Sequence, residues 1–235
     1  MAHASRFAKG NRLLHSLTAS DLALLKPNLI SVQLPIREEL EKPKKPIENV
    51  YFFEQGIASV VAVQPQGVRV EIGIIGCEGM SGLAVVLGSD RSPHSTYMQA
   101  AGEAMYISAD ALRQAMGKSG NLRLHFLKYF QAFAVQTAHT AVANAKANVE
   151  QRLARWLIMS HDRVPGDNLN LTHEFLGLML AVRRAGVTEA LQALKRRGCI
   201  DTSRRQIMLV DRKQLEQVAG PFYGAPETEY HRLLG

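Results

Sequence analysis

Residues Leu169–Gly198 read LNLTHEFLGLMLAVRRAGVTEALQALKRRG. Thr172 is a good N-cap, and Glu174 places a negative charge in the first turn, where the helix dipole favours it. Leu176, Met179 and Leu180 then recur at helical spacing. A second helix is predicted from about Arg183 to Arg197, with Val187, Ala190, Leu191 and Leu194 on one face and Gly198 as its stop. The small Gly177 and the inward Val182 suit two helices that cross steeply at close range. That pattern is a helix-turn-helix.

An ordinary helical hairpin in a core would share the periodicity, but charge separates the two. Between Arg183 and Lys213 there are nine Lys/Arg against three acids, a plausible surface for a phosphate backbone. The whole chain, 235 residues with a net charge of +7, points the same way, although basicity alone is weak evidence. With 46% hydrophobic and 21% charged residues, the composition is that of a globular protein. No apolar run approaches the roughly 20 residues of a membrane span. The N-terminus lacks a signal peptide's apolar core, so a cytoplasmic protein with no membrane partner is expected. Cys77 and Cys199 cannot supply an all-cysteine zinc or iron–sulfur site within one chain, and they read as buried thiols.

Leu13, Leu17, Leu22 and Leu25 sit near helical spacing, with Thr18 or Ser20 available as a cap. Residues 35–46, with three prolines among charges, read as an exposed connection holding one short strand. From Asn49 the period changes. NVYFFEQGIASVVAV is β-rich and broken at Gln55-Gly56, and Pro65-Gln66-Gly67 is a turn. Val68, Val70, Ile72 and Ile74 alternate with Arg69, Glu71 and Gly73, which predicts a half-buried strand with its aliphatic side inward. Thr96–Ile107 reads as two more strands around Gly102, and the set implies a β-sandwich or roll. Ser108 caps a helix to Met116, and a long helix follows over Asn121–Asn148. Its aromatic stripe suits packing against the β-domain, and its length with an alanine-rich second half also suits close pairing with a second copy, the reading favoured here. A further helix spans Glu150–Asp162, with Leu153, Trp156 and Leu157 inward. After Gly198, Cys199–Thr202 and Gln206–Val210 form a hairpin with a basic tip, and Asp211 and Gln214 start a last helix through Ala219.

The fold class is therefore α+β: a jelly-roll-like N-terminal β-roll over 1–120, a dimerisation helix over 121–148 and a winged helix-turn-helix over 149–235. This order resembles the cyclic-AMP receptor protein/FNR (Crp/Fnr) family of bacterial transcription regulators. LTHEFLGLMLAVRRAGVTEALQALKRRGCI with DRKQLEQVA is the most specific match, and VYFFEQGIASVV and GCEGMSGLAVVLG resemble the roll's strands and effector loop. The resemblance implies a homodimer on a two-fold symmetric, inverted-repeat operator in double-stranded DNA, with RNA polymerase as a further partner. It places base reading on Arg184, Ala185 and Glu189, and phosphate contact on Thr172 and His173. Arg184 can reach guanine in bidentate fashion, and Glu189 can accept from cytosine. Arg183, Gly186, Thr188 and Lys195 complete the helix's candidate contacts, with Arg204 and Arg205 on the wing. Gly186 has two readings, close backbone approach to DNA or no role. Ala181 stands where the family's corner usually has glycine, which implies slight strain. Phe126, Tyr129, Phe130, Phe133, Thr137 and Thr140 are the candidate dimerisation residues.

The effector region departs from the family. Its candidate residues are Gly79, Met80, Ser81, Gly82 and Leu83 in the loop and His94, Ser95 and Thr96 beyond it. The loop has no acid where the family holds the ribose, and His94 stands for the phosphate-binding arginine. A neutral histidine loses the charge-assisted grip on phosphate, so no cofactor is expected and cyclic AMP is expected to bind weakly or not at all. Another ligand, or redox or haem sensing through Cys77, stays open. A non-specific nucleic-acid binder or scaffold is the main alternative, and a regulator answering to a cyclic nucleotide or other small ligand is a further one. An enzyme built on His94 with Ser92 and Ser95, or on His125 with His139, has no recognisable catalytic motif behind it, nor is there a metal motif.

Overall fold

The computed structural model describes residues 10–64, 66–171, 173–203 and 206–235, with residues 173 and 174 described by backbone alone. Two short helices open it, α1 (Arg12–His15) and α2 (Ala19–Leu25), capped by Asn11 and by Thr18, one of the two candidate caps. The strands β1 (Ile30–Leu34), β2 (Glu39–Glu41), β3 (Asn49–Phe53), β4 (Ile57–Val63), β5 (Arg69–Ile75), β6 (His94–Ala100) and β7 (Gly102–Ser108) follow, with the short helix α3 (Leu83–Val86) between β5 and β6. They form two antiparallel sheets, ordered β1-β7-β3 and β2-β6-β4-β5. The break at Gln55-Gly56 falls where expected. Gly56 has φ +86, and a Cβ there would lie 2.7 Å from the Ala100 carbonyl oxygen.

The alternation predicted for residues 68–74 is overturned. Val68 is 56% exposed, whereas Glu71 is 6% exposed and Gly73 is buried. The reason is that β5 is covered on both sides. One side faces the roll interior, and the other meets the C-terminal domain, whose Trp156 donates to the Glu71 carboxylate.

Ser108 and Ser119 cap α4 (Ala109–Lys118) and α5 (Gly120–Lys146), each hydroxyl accepting from a backbone N–H three residues on. With 27 residues α5 is about 40 Å long. Its aromatic stripe packs largely within this chain. Phe126 (0% exposed), Tyr129 (2%) and Phe133 (9%) are buried in the roll's own core and have almost no area left to offer a partner. Phe130 is half-buried, and Thr137 and Thr140 turn their hydroxyls back to Phe133 and Gln136 carbonyls. The apolar groups that α5 shows to solvent are others. Leu124 (53% exposed) and Val142 (50%) lie about five turns apart on one face, with Ala138 and Ala145 exposed along it.

At Ala147–Asn148 the chain leaves α5 and starts α6 (Val149–His161), with Asn148 and Gln151 forming a reciprocal capping box. Next come β8 (Asn168–Leu169), α7 (His173–Leu180), α8 (Arg184–Arg196), β9 (Ile200–Ser203), β10 (Gln206–Leu209), α9 (Arg212–Ala219) and α10 (Ala225–Leu234). The wing hairpin carries β8 as an unforeseen third strand, in the order β8-β10-β9. Leu153, Trp156, Leu176, Val187, Leu191, Leu194 and Leu215 share one core there. Also unforeseen is α10. It folds back so that Tyr230 and Leu234 pack on Leu13, Phe126 and Tyr129, and the Tyr230 hydroxyl donates to the Glu78 carbonyl at 2.8 Å.

Candidate nucleic-acid interface

Two helices can cross this closely only if a small residue sits at the contact. A Cβ at Gly177 would lie 3.1 Å from the Val182 carbonyl oxygen, so larger side chains would push α7 and α8 apart. Between them the chain turns at Ala181, whose φ of +49 puts a non-glycine residue in the left-handed region. Ala181 N–H donates to the Leu178 carbonyl at 3.2 Å and Val182 N–H to that of Gly177 at 3.0 Å. From α6, the Arg152 guanidinium donates to the Leu180 carbonyl and anchors the corner. The expected strain at Ala181 is present, at about 1 kcal/mol relative to glycine.

Helix α8 buries Val187, Ala190, Leu191 and Leu194 and turns Arg183, Arg184, Ala185 and Glu189 to solvent. Gly198 ends it with φ +73, as a C-terminal glycine should. Thr188 is half-buried, its hydroxyl donating to the Arg184 carbonyl. No atom lies within 4 Å of where a Gly186 Cβ would stand, so internal packing does not require glycine there. Lys195 forms a 2.6 Å ion pair with Asp201 at the foot of the wing. Arg197 pairs with Glu150, and Arg212 with Asp162 and Glu216. Of the basic residues counted in this stretch, Arg183, Arg184, Arg196 and Lys213 have no ion pair among the described residues. Thr172, Arg204, Arg205 and the His173 side chain lie outside the described residues.

The start of α8 also borders a cleft of about 1030 Å³ against the roll. Across it from Arg183 and Arg184 stand Arg37 and Arg69, the latter 5.8 Å over the Tyr97 ring. The positive face is thus shared between the two domains. Periodicity could find the α8 arginines, but nothing local in the sequence shows that Arg37 and Arg69 join them.

The effector loop is packed by the protein's own side chains. Met80, Phe52, Phe126 and Tyr129 are buried there, and a Cβ at Gly79 would collide with the Tyr129 ring. The Ser81 hydroxyl accepts from Tyr51 N–H, and Gly82 turns with φ +73 as the chain enters α3 at Leu83. An acid does reach this loop, from the short strand expected within residues 35–46. Glu41 on β2 is 7% exposed and accepts from Gly82 N–H at 2.8 Å. Burial raises the Glu41 carboxyl above the usual range, against the opposing hydrogen bonds from Gly82 and Thr96. Ser95 and Thr96 are buried, with the Ser95 hydroxyl lacking a partner. His94 is half-buried, and that burial lowers its pKa, so the ring is neutral at pH 7. His125 binds the Leu13 carbonyl and Ser16, on the same long helix as the half-buried His139. Burial pushes the Cys77 thiol up and keeps it protonated. Among the described residues, no cluster of three or more His, Cys, Asp or Glu could hold a metal ion. No helix among them is long and apolar enough to cross a membrane.

The described residues thus build a β-roll joined by one long helix to a winged helix-turn-helix. Residues 151–218 match the Crp-like helix-turn-helix domain family. Among solved structures the chain is similar to FixK2 from Bradyrhizobium japonicum, with a TM-score of 0.70 and 16% identity over 81% of this chain and 96% of that one. It is similar to a CRP-family transcriptional regulator from Thermus thermophilus (0.66, 18%, over 80% and 96%). The c-di-GMP responsive global regulator CLP of Xanthomonas campestris is a third (0.64, 17%, over 83% and 100%). At these identities the likeness is one of fold. No curated protein is significantly similar in sequence. Residues 151–218 thus carry a Crp-like helix-turn-helix domain, and the chain as a whole has the fold of the Crp/Fnr-type regulators it resembles.

Proposed function

We propose that this regulator is a homodimer that reads an inverted-repeat operator and does so without cyclic AMP. One observation carries the reading: α8 is locked to its domain by Val187, Ala190, Leu191 and Leu194 while Arg184, Ala185 and Glu189 stand exposed in a row. The row fits the major groove, with Arg184 on guanine and Glu189 on cytosine N4. The open space at Gly186 leaves room for the duplex backbone, and Arg183, Arg37 and Arg69 extend the charge that meets phosphate. Thr172, His173, Thr188, Lys195, Arg204 and Arg205 remain candidate contacts.

Dimerisation is assigned to the exposed Leu124–Val142 face of α5, in place of the aromatic stripe. Replacing both residues by Asp should convert a dimer to a monomer in sedimentation velocity. The filled loop, the neutral His94 and the buried Glu41 carboxyl beside Gly82 all disfavour a cyclic nucleotide's phosphate. The protein works in the cytoplasm, with RNA polymerase as its partner at the promoter and no cofactor of its own.

Selection from a random duplex library without added ligand tests the reading. An enriched inverted repeat with half-sites about one helical turn apart is expected. Binding without enrichment would mark a non-specific binder or a regulator awaiting a ligand, and adding cyclic nucleotides would separate the two. Arg184→Ala should cost about 1–3 kcal/mol at one base pair per half-site and relax specificity there. Equal losses on every sequence would remove it as a base reader.

A further inference from the structure

Where the roll meets the DNA-binding domain, one carboxylate is buried without a direct counter-charge. Glu71 of β5 accepts the Trp156 indole N–H of α6 through Oε1 at 2.7 Å. Its Oε2 lies 2.6 Å from the hydroxyl of Ser59 on β4, and the Met179 sulfur of α7 lies 3.8 Å from that same hydroxyl. The Ser59 oxygen is also 2.7 Å from Gln99 Oε1 on β6. A single hydroxyl hydrogen cannot serve both Glu71 and Gln99. Two arrangements satisfy the chain. With a proton on Glu71, Oε2–H donates to Ser59, and Ser59 donates to Gln99 Oε1. With Glu71 ionised, Ser59 must donate to Glu71 and the Gln99 amide must turn over, bringing its buried and unpartnered Nε2 onto Ser59.

We propose that Glu71 is a proton-controlled latch: neutral, it holds the DNA-binding domain against the roll, and ionised, it loosens that joint. The groups around it bear this out. From α6, Arg155 is held by the Phe222 carbonyl and Thr140, Arg163 by Glu78, and Arg152 by the Leu180 carbonyl. From α5 come the uncharged Thr140 and Asn144, from α7 the uncharged Met179, and from β6 Gln99 and Tyr97. Burial outweighs the distant pull of Arg155 and Arg163 and the hydrogen bonds of Ser59 and Trp156, raising the carboxyl from 4.5 to about 7. Undocking would return Glu71 to water and to its ordinary range. The docked form therefore holds a proton that the undocked form releases. The docking constant falls up to tenfold per pH unit from about 4.5 to about 7 and then levels off.

Trp156 is the chain's single tryptophan, so all tryptophan emission arises at this joint. The experiment follows tryptophan emission and the small-angle scattering radius of the full chain between about pH 5 and 9, for wild type, Glu71→Gln and His161→Gln. Wild type and His161→Gln should shift to the red and expand as pH rises, while Glu71→Gln keeps the low-pH emission throughout. Should Glu71→Gln fail to fold, Ser59→Ala removes the donor that steadies the ionised form and should move the transition to higher pH. A flat wild-type profile, the same transition in Glu71→Gln, or an unmoved midpoint in Ser59→Ala would overturn the proposal.

Discussion

The roll and the DNA-binding domain are joined through two buried glutamates that solve the same problem in opposite ways. Glu78, beside Cys77, meets Arg163 in a 2.7 Å pair in which both residues are 6% exposed. Burial works against the Arg163 charge, yet Glu78 and Asp162 together hold it above the ordinary arginine value. Its remaining contacts are made as well: Arg163 donates to the Met159 carbonyl, and Glu78 accepts from Gly76 N–H. Glu71, equally buried, meets an indole and a hydroxyl instead. One joint is an ion pair, and the other depends on a proton. The difference shows how burial alone does not define a carboxylate; its partners decide whether it is a fastening or a switch.

Removing one partner of the ion pair should have the largest effect. Arg163→Ala leaves the buried Glu78 with only its longer 3.9 Å pair to Arg12, and should cost about 3–5 kcal/mol in chemical denaturation. A loss under 1 kcal/mol would mean that the pair is solvated in solution. The proton-dependent joint comes next. The folded chain keeps Glu71 protonated up to about pH 7, whereas an unfolded chain releases that proton near 4.5. Its stabilising contribution is therefore complete below about pH 4.5 and is lost as pH rises to about 7, a fall of about 3 kcal/mol that Glu71→Gln should abolish. Parallel stability curves for the two proteins would erase the contrast between the joints. The smallest effect concerns the corner that Arg152 anchors beside the Glu71 joint. Ala181→Gly relieves a left-handed alanine and should stabilise the chain by about 1 kcal/mol, read as a raised denaturation midpoint.

Much of the reader domain is legible from local pattern. Val187, Ala190, Leu191 and Leu194 mark a buried face by spacing, and Thr18, Ser108 and Asp211 cap helices where hydrogen-bonding chemistry requires. The roll is less legible for one reason. A periodic stripe tells that a face is covered but not what covers it, so the α5 aromatics read equally well as a dimer seam or a core. On β5 the alternation pointed the wrong way, because Glu71's donor, Trp156, lies 85 residues along the chain. Glu41 escaped notice for the same reason, since Gly82, which it holds, is 41 residues away. Arg37 and Arg69 join the positive cleft only through the docking of whole domains.

Helix α10 bears on the order in which the molecule can be made. Residues 225–234 close over Leu13, Phe126 and Tyr129, and Arg12 sits 5.9 Å above the Tyr230 ring. The roll's strands and α5 leave the ribosome long before the helix that seals them. At about 5–20 residues per second, the nearly 90 residues from Ala147 to Leu234 keep that apolar patch uncovered for roughly 4–18 s. During that interval the nascent roll has an incomplete core, and chaperones or premature association between neighbouring chains compete for the surface that Tyr230 and Leu234 finally occupy.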